Sequence, residues 1–372
     1  HGFNSYAKRP TRFLRVAIVG FLPAVLLLQP AWAQTSGRQT SDKQSSGRQT
    51  SDKQSSDRQS SDRQSSDRQS SDRQSSKISK QIAITFDDLP LNGPRLSLKQ
   101  TREVTQRLLG KLQKEKVPAI GFVNENKLFV TSNEVNDRIA LLQMWIDRGF
   151  DLGNHSYSHP NLADMPLADF EADVIQGEKI CNKLLAAKGK RVKYFRYPFL
   201  STGETQEKKK AFEGFLHQHN YINAPITIDA GDWMFSAVYT KAKLSGDNKT
   251  AEKVAKAYLS FTQQMIGYYE AMAMDVEKRP INQILLLHSN SLNADYFDEL
   301  CTLFRNNKYK FITLSQALCD PVYKLPESYA GTEGVSWLKR WRYAQGKAME
   351  MKPEPAIPKF VEDLYQNAHY DD

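Results

Sequence analysis

Cysteine is scarce in this chain, with Cys181, Cys301 and Cys319 the three among 372 residues. No C-x-x-C pair occurs, which argues against a thiolate zinc site. An odd count leaves at least one thiol unpaired. Three small residues buried singly are the simpler expectation, with a Cys301–Cys319 bridge as the alternative. Long apolar runs are also missing. The run Val16–Leu28 covers 13 residues and contains Pro23, short of the ~20 that a spanning helix needs. It follows Lys8, Arg9, Arg12 and Arg15 and precedes Ala31-Trp32-Ala33. A basic start, an apolar stretch and a small-residue site describe a secretory signal peptide over residues 1–33, cleaved after Ala33. An uncleaved anchor is the alternative. Export to a periplasmic or extracellular location is therefore expected.

A basic surface for nucleic acid is the third absence. The net charge is +9, but residues 1–76 hold 12 Lys and Arg against 6 Asp and Glu, whereas the other 296 hold 39 against 36. The folded part keeps no basic stripe to track phosphates, so no nucleic-acid partner is expected. Residues 34–77 form a linker built on a unit close to Ser-Asp-Arg-Gln-Ser, without aromatic or aliphatic side chains from 35 to 76. Such a tract cannot bury apolar surface to offset the entropy of ordering it, so it reads as a disordered tether. Cell-wall association is a second role it could serve.

From Ile78 onward short apolar runs alternate with amphipathic stretches. Expected strands are Gln81–Phe86, Ala119–Asn124, Asp151–His155, Tyr194–Tyr197, Ala224–Asp229, Gln283–His288 and Lys310–Thr313. Expected helices include Thr101–Lys116, Glu134–Arg148, Leu167–Ala187, Glu207–Asn220, Ala251–Glu277 and Ala294–Asn307. This alternation implies βα units around a parallel sheet, and seven strands suit an open or distorted α/β barrel. The catalytic domain is expected over residues 78–320. Residues 321–372, with Tyr329, Trp337, Trp341 and Tyr343, read as an appendage packed on that barrel.

Polar residues gather at the strand ends, where α/β barrels place their sites. The first strand ends Thr85-Phe86-Asp87-Asp88, and strand alternation aims the two carboxylates differently. The third leads into Gly153-Asn154-His155-Ser156-Tyr157-Ser158-His159. His155 and His159 share a face if the segment turns helically. With Asp88 they make a set of two imidazoles and one carboxylate, a usual catalytic zinc set that leaves a position open for water. The fourth strand gives Phe195-Arg196-Tyr197-Pro198-Phe199, the fifth Asp229-Ala230-Gly231-Asp232-Trp233, and the sixth Leu285-Leu286-Leu287-His288.

Taken in order, these five patches resemble the motifs TFDD, H-x-x-x-H, R-x-P-Y, D-x-x-D-W and L-x-H. These belong to the polysaccharide deacetylase family, also called the nodulation-protein-B homology family or carbohydrate esterase family four. The resemblance spans roughly Ile78–Cys319 and implies a distorted (β/α)7 barrel. It also implies roles. Asp88, His155 and His159 would bind a divalent metal, zinc first, with cobalt or manganese as alternatives. Asp87 would be the general base, held by Arg196. Asp232 would pair with His288, the general acid. Pro198, Phe199 and Trp233 would line the substrate site, with a backbone N–H near Phe199 facing the oxyanion. Phe199 replaces the usual Tyr, Leu200 stands where a Gly often follows, and the span from Asp232 to His288 is long, with extra residues in 234–278. The implied activity is release of acetate from a glycan (peptidoglycan, a chitin-like oligomer or an exopolysaccharide) by a monomeric enzyme. An O-acetyl esterase would use the same groups, and a silent glycan binder is the non-enzymatic alternative.

Overall fold

The computed structural model describes residues 80–367. The leader, the repeat tract and the last five residues lie outside them. Among the described residues there are eight strands: β1 (Lys80–Leu89), β2 (Ala119–Val123), β3 (Asp151–Asn154), β4 (Tyr194–Phe195), β5 (Ile222–Asn223), β6 (Ile228–Asp229), β7 (Gln283–His288) and β8 (Tyr309–Ile312). Every ladder is parallel. The order is β5-β4-β3-β2-β1-β7-β6, with β8 on the first residues of β1. This is barrel order with one seam: among the described residues no ladder joins β5 to β6. The result is a curled, open parallel sheet flanked by helices, a distorted (β/α) barrel.

β1 is buried along its last eight residues, as a strand covered on both faces must be. It is the hub, pairing with β2, β7 and β8. Of the expected strand over 224–229 only Ile228–Asp229 (β6) is strand, and a second short piece, β5, precedes it at Ile222–Asn223. Pro225 lies between them and has no N–H for a ladder. The expected helix 167–187 is also broken, into Leu167–Gln176 and Lys179–Ala186. Gly177 sits at the break because a Cβ there would come within 2.4 Å of the Ser156 backbone. The 234–278 stretch is helical throughout most of its length, as Asp232–Leu244 and Asn248–Glu277. No helix among the described residues is long and apolar enough to cross a membrane.

The C-terminal segment covers the seam. The Trp337 N–H donates to Ile226 O at 2.9 Å, and the Ser336 hydroxyl donates to Thr227 O at 2.8 Å. Carbonyls that a neighbouring strand would satisfy in a closed barrel are thus satisfied by residues more than a hundred positions away. Trp337, Leu338 and Trp341 of the helix Trp337–Ala344 are buried in the same core as the strands. The three thiols are free: Cys181 and Cys301 are buried singly, and Cys319 is exposed rather than buried or bridged.

Candidate active site

The strand ends place the sequence-derived residues together. In the β1–β7 register Asp87 lies opposite His288. Asp88 follows with φ of +66°. His155 and His159 come from the loop after β3. That loop is not helical, so the two histidines are brought together otherwise than by the helical turn expected. Ser156 and His159 both adopt positive φ, +65° and +59°. Asn154 Oδ1 accepts from the Ser156 N–H at 2.7 Å, and the Ser156 hydroxyl accepts from the His159 N–H at 3.1 Å. Asp173 accepts from the N–H groups of Tyr157 and Ser158 at 2.9 and 3.0 Å. These bonds hold the imidazole rings 4.8 Å apart, edge to face.

Ligand atoms of Asp88, His155 and His159 all lie within 4.8 Å of one another. His155 Nδ1 is 2.8 Å from Arg196 O. A carbonyl only accepts, so Nδ1 carries the proton and Nε2 presents a lone pair. That lone pair faces Asp88 Oδ1 at 3.7 Å, and His159 Nε2 faces the same oxygen at 3.5 Å. Asp88 Oδ1 is buried without a hydrogen-bond partner. Burial holds both imidazoles below their ordinary range, and hence neutral. Burial alone would raise Asp88, but the positive charges around it, Lys127 first, outweigh it and keep the carboxyl well below the usual range. The His155 lone pair and the unpartnered carboxylate oxygen repel one another unless a cation lies between them. The donor set, two imidazoles and a carboxylate, fits a divalent ion with positions to spare. Asn92 Nδ2 donates to Asp88 Oδ2 at 2.8 Å, and Lys127 Nζ lies 3.4 Å from it.

Asp87 overlooks the same point, with Oδ2 at 3.7 Å from His155 Nε2. Arg196, wholly buried at the end of β4, donates Nη1 to both Asp87 oxygens at 3.3 and 3.4 Å. Its Nη2 donates to Thr85 Oγ1 at 3.0 Å and its Nε to Ala224 O at 2.6 Å. The guanidinium therefore has one position. Burial pushes Asp87 up to about 6 against the pull of Arg196.

On the other side, His288 Nδ1 donates to Asp232 Oδ1 at 2.8 Å. Asp232 Oδ2 accepts from the His288 N–H at 2.8 Å, Asn290 Nδ2 at 2.9 Å and Asn293 Nδ2 at 2.6 Å. Burial opposes a charge on His288, but the Asp232 carboxylate, with Asp88 and Asp87, outweighs it and raises the imidazole to about 9. Asn290 and Asn293 were not anticipated from the sequence. The signal that could have found them is the N-cap position of Asn290 before the helix Ser291–Asn306, directly after the L-x-H motif.

Pro198 is buried and opens a turn in which Phe199 and Leu200 have φ of +54° and +55°. The Phe199 ring is 58% exposed and lies edge-on to His159 at 4.4 Å, so it forms a lip of the site. Of the sequence-derived set, Trp233 is the one whose ring contact lies elsewhere. It meets Tyr365 of the C-terminal helix edge-on at 5.4 Å.

A family model described as polysaccharide deacetylase matches residues 74–214. A peptidoglycan-N-acetylglucosamine deacetylase from Bacillus cereus is 31% identical over 153 residues, 41% of this chain and 46% of the relative. The chain thus spans less than half of that relative. Similar solved structures include a peptidoglycan deacetylase from Bacillus subtilis, 23% identical with a TM-score of 0.39 over 64% of this chain and 90% of that one. They also include a family 4 carbohydrate esterase from Streptomyces lividans in complex with acetate, 17% identical, TM-score 0.41, over 64% and 95%. A third is a pseudoenzyme of the same family from Bacillus anthracis, 19% identical, TM-score 0.44, over 65% and 66%. The family match falls on the strand ends that carry Asp87, Asp88, His155, His159 and Arg196, so residues 74–214 carry a domain that matches the polysaccharide deacetylase family.

Proposed function

We propose that this chain is an exported, metal-dependent deacetylase that removes acetyl groups, N-acetyl of amino sugars first, from a polysaccharide such as peptidoglycan. The observation that carries the reading is the pairing of two proton-handling groups across one strand register. Asp87 is pinned by Arg196 and His288 by Asp232, and Asp87 lies beside the Asp88–His155–His159 trio. A divalent cation held by that trio supplies Lewis acidity to a carbonyl and acidifies water. Asp87, kept ionised above about 6, accepts the proton of the attacking water. His288, kept protonated up to about 9, gives its proton to the leaving nitrogen, which would otherwise depart as a poor amide anion. The Phe199 amide supports the carbonyl oxygen as it gains charge. The leader over residues 1–33 supports export, and the linker 34–77 serves as the tether.

Activity rests on the filled positions Asp87, Asp88, His155, His159, Arg196, Asp232 and His288 rather than on the fold. Acetate release is to be measured on peptidoglycan, chitin oligomers and acetylated xylan, with and without a chelator. Release from the N-acetylated glycans that stops on chelation and returns with zinc is the expected result. Release from acetylated xylan alone would point to the O-acetyl esterase, and binding without any release to the silent glycan binder.

A further inference from the structure

We propose that Arg340, with Gly334 beside it, is a positioning residue for the reaction, holding the Phe199–Leu200 turn in shape from the C-terminal segment. The proposal rests on the deacetylase reading above. Two consecutive non-glycine residues at φ of +54° and +55° occupy a region that side chains enter reluctantly, and such a turn persists only when its surroundings over-determine it. The Leu200 N–H donates to Tyr197 O at 3.0 Å and the Ser201 N–H to Pro198 O at 3.1 Å. Those two amides are committed inside the turn, and the Phe199 N–H stands outside those bonds.

What fixes the turn from outside is the strap 331–340. Arg340 Nη2 donates to Leu200 O at 2.6 Å and Nη1 to Thr202 Oγ1 at 2.7 Å, while Nε donates to Val335 O at 3.0 Å. The guanidinium is wholly buried, over the rings of Trp337 at 4.4 Å and Tyr329 at 5.1 Å. A buried, stacked guanidinium with a planar fork has little freedom, so its acceptors inherit its position. The Gly331 N–H donates to Gly203 O at 3.0 Å. At Gly334 the two segments touch so closely that a Cβ would fall 1.8 Å from Phe199 O. On its other side the turn carries the Phe199 ring against His159. The strap thus reaches the reacting centre through the turn, and the C-terminal segment belongs to the catalytic architecture.

The test compares Arg340→Met, Arg340→Lys and Thr202→Val with the wild type on an N-acetylglucosamine oligomer. It follows kcat, KM, metal content, thermal midpoint and hydrogen exchange of the peptide spanning 198–203. Arg340→Met should lower kcat by about 10–100-fold, the scale of a displaced reacting geometry. KM and metal content should hold, and exchange should quicken at 198–203 but not at 155–159. Arg340→Lys should recover part of kcat. Should Arg340→Met fail to fold, Thr202→Val removes one acceptor and should show a smaller fall in kcat with the same exchange signature. An unchanged kcat, or kcat falling only in step with metal content and thermal midpoint, would overturn the proposal. Wild type that releases no acetate would refute the deacetylase reading instead. The exchange comparison would still decide whether Arg340 holds the turn.

Discussion

The arc from β1 to β4 and the seam from β5 onward solve the same problem differently. In the arc, strands are neighbours in sequence order, and β1, β3 and β4 each deliver functional residues within a few positions of their own ends. Asp87 and Asp88 close β1, His155 follows β3, and Arg196 follows β4. At the seam, β5 and β6 are two residues each and do not pair. The carbonyls of Ile226 and Thr227 between them are met by Trp337 and Ser336 of the C-terminal segment. The arc is specified by local pattern and the seam by contacts across more than a hundred residues. A site on this barrel needs both, because Phe199 and Leu200 sit at strained backbone angles that cost ~1–3 kcal/mol each. The braces on that turn come from the far segment.

That contrast predicts where damage will show. The largest effect should fall on His288. His288→Ala should keep the metal and lose turnover by ~10²–10⁴-fold, the usual size of a proton-transfer contribution. The pH profile gives the same test a sign. Asp87 must be ionised, so activity should fall as pH drops through its pKa, about 6. His288 must be protonated, so activity should also fall as pH rises through its pKa, about 9. A bound cation draws both values downward. In His288→Ala the alkaline limb should vanish; a limb that survives would assign the acid elsewhere. The Arg340→Met loss should be smaller than this. Smaller again should be Tyr365→Ala, which removes the edge-on contact to Trp233. A stability loss of ~0.5–1.5 kcal/mol, the worth of an aromatic pair, should appear in thermal unfolding. Loss of metal in that variant would erase the distinction between arc and seam.

How much was legible in the sequence follows the same division. Strand ends in the arc announce themselves through adjacent carboxylates and histidines set in apolar runs. The Asp88–His155–His159 set could therefore be read from the residues, and the Asp87–Arg196 and Asp232–His288 pairs from the family resemblance; the structure brings each set together. The local geometry was less legible. A four-residue histidine spacing suggested a helix, whereas Ser156 and His159 turn through positive φ with Asp173 and Gly177 packed beneath the loop. Pro225 was the visible sign that 224–229 could not be one strand. Asn290 and Asn293, which hold Asp232, carry no chemistry of their own and look like ordinary helix-start residues. Arg340 was invisible for a stronger reason. Nothing near it in sequence says that its guanidinium ends on Leu200 and Thr202, since that contact spans about a third of the chain.

The central claim is the division of labour at the end of β1, where Asp88 holds the metal and Asp87 moves the proton. Metal content by mass spectrometry, read beside acetate release in Asp87→Asn and His155→Ala, tests it most directly. The account predicts that Asp87→Asn keeps its metal while turnover falls ~10²–10⁴-fold, and that His155→Ala loses metal and turnover together. An Asp87→Asn protein as empty of metal as His155→Ala, or one that still releases acetate at the wild-type rate, would contradict it.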